Sequence, residues 1–229
     1  TLADYYREEG DNEESYKQLK AAFSSPKLSI DTKVSILMSY YSLIEHSEKM
    51  KRQAMELSEI LINTHTTNPI SYAIYGDFLY QEGRNIEAKE QYRKAIDLDE
   101  NRPQVWSQLL FIESELGDKE DLERDSEKAI ELFPSNPVYY FFNGISNSQL
   151  KNFKKAIKSL EIGLEFVLEN NSLLIQFYSS LGDNYHSLKE HKKSDSLYNL
   201  ALVIDPGNVQ VLNNYSYYLS LRNKDLERA

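Results

Sequence analysis

Residues 69–102 read PISYAIYGDFLYQEGRNIEAKEQYRKAIDLDENR. Two helices and the turn between them are legible in this stretch. Asn68-Pro69 places an N-capping side chain before a proline suited to a first helical turn. Gly83 stands where the first helix must stop, a natural left-handed C-cap. Inside the first helix Gly76 follows Tyr72 by four residues; Ala88 lies 12 residues after Gly76, and Ala95 seven beyond that. Small residues at such points let two helix axes approach closely, while Tyr72, Leu79 and Tyr92 fill the space around the contact. A single helical hairpin cannot bury its apolar face, so neighbours must stack on it.

The same spacing recurs on either side. Gly144, Gly182 and Ser216 each stand four residues after Tyr140, Tyr178 and Leu212, with Ala156, Ser194 and Ala229 following some 12 or 13 residues on, and Gly163 and Ala201 in the slot of Ala95. Asn136-Pro137 and Gly117 repeat the cap signals, and Trp106, Ala129 and Pro134 occupy the matching slots of 103–136. The pattern resembles the tetratricopeptide repeat family, best in 69–102, where Tyr72, Tyr75, Gly76, Leu79, Gly83, Ala88, Tyr92 and Ala95 fall on signature positions. The resemblance implies an all-α, right-handed superhelical solenoid of antiparallel helix hairpins. Its units are 1–34 (partial), 35–68, 69–102, 103–136, 137–174, 175–208 and 209–229 (truncated). Met38, Tyr41, Ser42, Ala54 and Leu61 carry the weaker fit of 35–68.

Three local expectations follow. The surplus of about one helical turn near 167–171 is assigned to a longer second helix in unit 137–174. Leu110 and Leu122, where the family usually has two small residues, are expected to hold their helices further apart than in 69–102. Glu113 and Ser126 are polar at slots that are usually apolar. The chain begins at Thr1 and ends at Ala229 inside what reads as a helix entry, so it is read as an internal piece of a longer protein, with the compartment (cytoplasm or cell envelope) left open.

Composition narrows the function. The absence of cysteine removes disulfides, thiolate metal sites and a cysteine nucleophile. Thirty-six acidic against 26 basic residues, a net charge of −10, argue against a nucleic-acid partner. No run of apolar residues is long enough to span a membrane. No cofactor motif, metal motif or catalytic constellation is found. His46, His65, His186 and His191 form no His-Glu-x-x-His pattern. Gly83-Arg84-Asn85 is a helix–helix turn, and the Ser-x-x-Lys string at Ser24–Lys27 lies in a linker without companion motifs.

The resemblance implies a non-enzymatic scaffold that presents a concave groove to a protein or peptide. Carried over position by position, the groove residues are Asp77, Tyr80, Phe111, Phe141, Ile145, Asp183, Asn213 and Tyr217, flanked by Ala73, Ser107, Ser114, Ser148, Ser179, His186 and Ser220. Apolar partner side chains are expected near Phe111, Phe141 and Ile145 and basic ones near Asp77 and Asp183. Gln108 and its neighbours supply no cation for a carboxylate clamp. The asparagine-ladder slot, with Ile74, Gln108, Phe142, Ser180 and Asn214, holds one asparagine. Two other readings are kept: a regulatory or substrate-docking arm of a larger enzyme or sensor, and self-association through Leu212, Tyr215 and Leu219 of the last helix.

Overall fold

The computed structural model describes residues 2–41, 44 and 47–222, apart from the side chains of Asp4 and Arg7. The readings made on Ser42, His46 and residues 223–229, Ala229 included, fall outside the described residues. Those described form thirteen helices and no strand: α1 (Leu2–Glu8), α2 (Asn12–Ser24), α3 (Ile30–Tyr41), α4 (Glu48–Thr64), α5 (Pro69–Gln81), α6 (Asn85–Leu98), α7 (Pro103–Leu116), α8 (Lys119–Leu132), α9 (Pro137–Gln149), α10 (Phe153–Leu164), α11 (Asn171–Ser187), α12 (His191–Ile204) and α13 (Val209–Leu221). They gather into two compact units, one ending at Ile112 within α7 and the other starting at Glu113.

The hairpins are set by their caps. Asn68 and Asn136 accept hydrogen bonds from the backbone N–H groups of Ile70 (3.0 Å) and Val138 (3.1 Å), and a proline follows each. At the other end, Gly83 and Gly117 adopt φ of +73° and +74°. The next residue donates its N–H back across the last turn, Arg84 to Leu79 O and Asp118 to Glu113 O. Lys151 and Lys189 occupy the same slot after α9 and α11, both at φ 63°, and Asn152 and Glu190 make the equivalent bonds to Asn147 and Tyr185. A side chain in this region is strained by about 1 kcal/mol. Lys151→Gly and Lys189→Gly are therefore each expected to stabilise the fold by about 0.5–1 kcal/mol in urea unfolding, whereas Gly83→Lys is expected to cost a similar amount.

A second tie joins three of the connecting loops, those before α5, α7 and α9, to the helix that follows. Tyr72 donates its hydroxyl to Thr66 O (3.0 Å), Trp106 its indole N–H to Glu100 O (2.8 Å) and Tyr140 its hydroxyl to Pro134 O (2.9 Å), each reaching six residues back. Aromatic residues at this slot thus fill space and also satisfy a loop carbonyl.

In the first unit, Phe23, Leu37, Ala54, Leu57 and Leu61 are fully buried against Ile74 and Phe78. In the second, Ile157, Leu160, Phe177 and Leu181 form one core cluster; Tyr198, Ala201, Val211, Tyr215 and Leu219 form another. The recurring glycines are where helices touch. A Cβ on Gly76 would lie 2.7 Å from the Tyr92 ring, on Gly144 2.5 Å from Leu160 Cγ, on Gly163 2.5 Å from Tyr140 Cβ, and on Gly182 2.9 Å from the Tyr198 ring.

Several expectations need correcting. Helix α10 has 12 residues and is not lengthened. The surplus is split between the loop after it and α11, which begins at Asn171 and has 17 residues. Glu169 at φ 47° turns the chain, and Asn170 caps α11 by accepting from Leu173 N (3.0 Å), so the added turn sits at the start of the next hairpin. Helix α3 starts at Ile30, five residues before the boundary read at Ser35, because Ser29 Oγ accepts from Thr32 N (3.3 Å). In α13, Tyr215 and Leu219 are buried against α12 rather than open, which leaves Leu212 alone of the three exposed. Leu110, Leu122, Glu113 and Ser126 are all fully buried.

Candidate functional site

Helix α5 places Asp77 beside Gly76, on the turn that the Tyr92 ring covers from α6. The Tyr92 hydroxyl donates to Asp77 Oδ1 (2.9 Å), and the Gln108 side-chain amide, from α7, donates to the same oxygen. One turn further along α5, Tyr80 meets Phe111 edge to face, with ring centroids 5.8 Å apart. Tyr41, from α3, packs on Phe78 at 5.4 Å. Together with Ser107 and Ile112, these groups line a cavity of about 350 Å³ within the first unit.

Electrostatics mark the same spot. Burial pushes the Asp77 carboxyl up to about 6, against the opposing effect of the Tyr92 hydrogen bond. The Tyr41 hydroxyl is pushed up to about 12, first by burial and then by the Asp77 charge, and the Tyr92 hydroxyl is raised for the same two reasons. Both donors to Asp77 are neutral, so a largely buried charge is solvated by dipoles instead of by a cation.

The second unit repeats the arrangement. Asp183 follows Gly182 as Asp77 follows Gly76, and Tyr198, again 15 residues on, donates its hydroxyl to Asp183 Oδ1. Burial raises the Asp183 carboxyl, while hydrogen bonds from Tyr198 and Tyr218 lower it. Tyr198 stacks on Tyr215 at 5.0 Å, and His186 stacks on Tyr218 at 3.7 Å, its ring 5.1 Å from that of His191. Burial and then His191 depress His186. Arg222 forks onto Asp195 nearby. A separate cavity of about 380 Å³ in this unit mixes Glu127 and Glu131 with Lys155 and Lys158 around the buried Asn143.

The structure therefore brings Asp77, Tyr80 and Phe111 together around one cavity. Phe141 and Ile145 belong to the second unit, where both are half-buried; Phe141 packs on Phe177 at 5.5 Å as part of a core cluster. Asn213 and Tyr217 are exposed on α13. Tyr41, Tyr92, Gln108 and Ile112 complete the cavity and are not among the eight residues carried over from the family. The signal for Tyr92 lies in the sequence: an acid beside a slot glycine with a tyrosine 15 residues later occurs at both 76–92 and 182–198.

Residues 70–102 and 175–208 match the family described as tetratricopeptide repeat. These are the two units that carry the Asp–Tyr pair. Solved structures share the fold. A tetratricopeptide repeat protein from Parabacteroides merdae superposes with a TM-score of 0.71 at 15% identity, covering 86% of this chain and 76% of that one. PilF of Pseudomonas aeruginosa gives 0.66 at 17% identity, covering 87% and 86%. YrrB, a tetratricopeptide repeat protein with an unusual peptide-binding site, gives 0.67 at 14% identity, covering 80% and 90%. Among curated proteins, the human protein O-mannosyl-transferase TMTC3 is 26% identical over 113 residues, 49% of this chain; the match spans only 12% of that protein's length. The chain is an all-α array of helix hairpins with the fold of tetratricopeptide repeat structures, and two of its hairpins match that repeat.

Proposed function

We propose that the chain is a non-enzymatic scaffold that binds a peptide or an extended segment of a protein on the face formed by the first helices of its hairpins. The observation that carries this reading is the cavity at Asp77. Exposed rings of Tyr80 and Phe111 stand at its edge, and a small number of polar groups lie among apolar walls, the usual make-up of a recognition site. On the second unit the same reading assigns contacts to Phe141, Ile145, Asp183, Asn213 and Tyr217.

The test is selection of binders from a random heptapeptide library on the full 229-residue chain, with affinities read by fluorescence anisotropy. Phe111 is 44% exposed, so Phe111→Ala is expected to weaken the selected peptides by about tenfold or more while leaving the urea midpoint in place. Phe141→Ala is expected to cost about 2 kcal/mol of stability, because its ring packs on Phe177. Selected peptides that bind Phe111→Ala as well as the wild type would remove the cavity from the binding face. The TMTC3 match favours a second reading, in which these repeats are the docking arm of a larger enzyme. Whether the gene that encodes these residues also encodes a catalytic domain distinguishes the two.

A further inference from the structure

The aromatic cavity of the first unit has one charged group, and the structure gives that group no counter-ion. Asp77 takes hydrogen bonds from a hydroxyl and an amide, both on Oδ1. Among the described residues no lysine, arginine or histidine pairs with it, and Oδ2 receives neither bond. Around it stand the rings of Tyr41, Tyr80, Tyr92 and Phe111 and the side chain of Ile112. Aromatic faces attract cations and tolerate methylene chains. A cavity of this make-up suits a chain that is apolar along its length and positive at its tip.

Resting on the peptide-scaffold reading above, we infer that the cavity receives a lysine side chain of the bound segment, its ammonium on Asp77 Oδ2 and its stem against Tyr41, Tyr80 and Phe111. The carboxylate geometry selects lysine over arginine. A guanidinium gains most from two free carboxylate oxygens, and here Oδ1 already accepts two hydrogen bonds. An ammonium is a point charge and needs only one. The net charge of −10 draws a basic segment toward the protein in the same sense.

The probes are Nα-acetyl-lysine methylamide and its norleucine and arginine counterparts, titrated at about pH 7.5 into the ¹⁵N-labelled full chain. Saturable shifts are expected at the amides of Asp77, Gln108 and Phe111 with the lysine probe, and about tenfold weaker binding of the other two. Asp77→Asn keeps an acceptor for Tyr92 and Gln108 and is expected to erase the preference for lysine. Equal binding of lysine and norleucine, shifts elsewhere only, or a lysine preference that survives in Asp77→Asn would overturn the inference. The heptapeptide selection separates this from the scaffold reading. Phe111-dependent peptides with no lysine requirement leave the scaffold standing and sink the lysine site. The absence of any Phe111-dependent peptide sinks both. A fixed lysine whose change to norleucine costs about tenfold in wild type and nothing in Asp77→Asn supports both.

Discussion

Gly144→Ala is expected to destabilise the protein by about 2 kcal/mol in urea unfolding. Two effects compete. Alanine is the better helix former by about 1 kcal/mol, and a glycine in mid-helix gives that up. Against it, the new Cβ would sit 2.5 Å from Leu160 Cγ and 2.6 Å from one of its methyls. Leu160 is fully buried, and the nearer atom is the branch point of its side chain, so it cannot swing clear; the helices must part. Overpacking of this kind costs about 1–3 kcal/mol and at times more, which exceeds the propensity gain. Gly163→Ala should cost at least as much, because its Cβ would meet Tyr140 Cβ at 2.5 Å, an atom fixed to the backbone, as well as the Phe177 ring at 2.9 Å. Gly207→Ala is the control. It has only Asp205 Oδ1 near it, at 3.7 Å, and is expected to lie within about 0.5 kcal/mol of wild type. Equal stabilities for Gly144→Ala and Gly207→Ala would show that α9 and α10 do not depend on this close approach.

These glycines are also where the sequence is most readable. Gly76, Gly144 and Gly182 recur in register with the small residues of the partner helices, and the structure puts a large side chain of α6, α10 or α12 against each of them. The caps were equally plain at Asn68, Asn136, Gly83 and Gly117, because each is a local interaction between residues a few positions apart. The surplus residues after α10 are ambiguous in the sequence for a physical reason. Continuing a helix and capping a new one with Asn170 use the same number of residues, and nothing in the local pattern shows which side of a turn will take them. The cavity was legible only in part. Asp77, Tyr80, Gln108 and Phe111 follow from repeat positions, but Tyr41 is not one of the groove positions, and the approach of Tyr41, Gln108 and Phe111 to Asp77 depends on how hairpins stack. Tyr92 looked like core because it is core: it covers Gly76 and also donates to Asp77. One side chain serving packing and polar contact at once leaves no separate trace in its spacing.

Asp77→Asn is expected to raise stability by roughly 2–3 kcal/mol at about pH 7.5 while removing the charge from the cavity. Burial carries the Asp77 carboxyl from 3.8 to about 6. The folded state therefore holds this proton more tightly than the unfolded state does. The stability it contributes is fully present below the unfolded value, is lost as the pH climbs through the window from 3.8 to about 6, and is absent above it. Asparagine cannot ionise and still offers an oxygen to Tyr92 and Gln108, so its stability is flat over that window. Asp183 shifts in the same direction, and Lys33 and His65, whose Nζ and Nε2 lie 2.8 Å apart, shift downward by burial. All three are common to both proteins and cancel in the difference. On the scaffold reading proposed above, the cost of this buried charge is offset by what it does for a bound segment. Urea unfolding of wild type and Asp77→Asn at about pH 7.5 and about pH 4.5 tests that cost most directly. The variant should be the more stable at the higher pH, with the gap falling to less than half at the lower. A variant that is less stable at the higher pH, or a gap that does not change with pH, would contradict it.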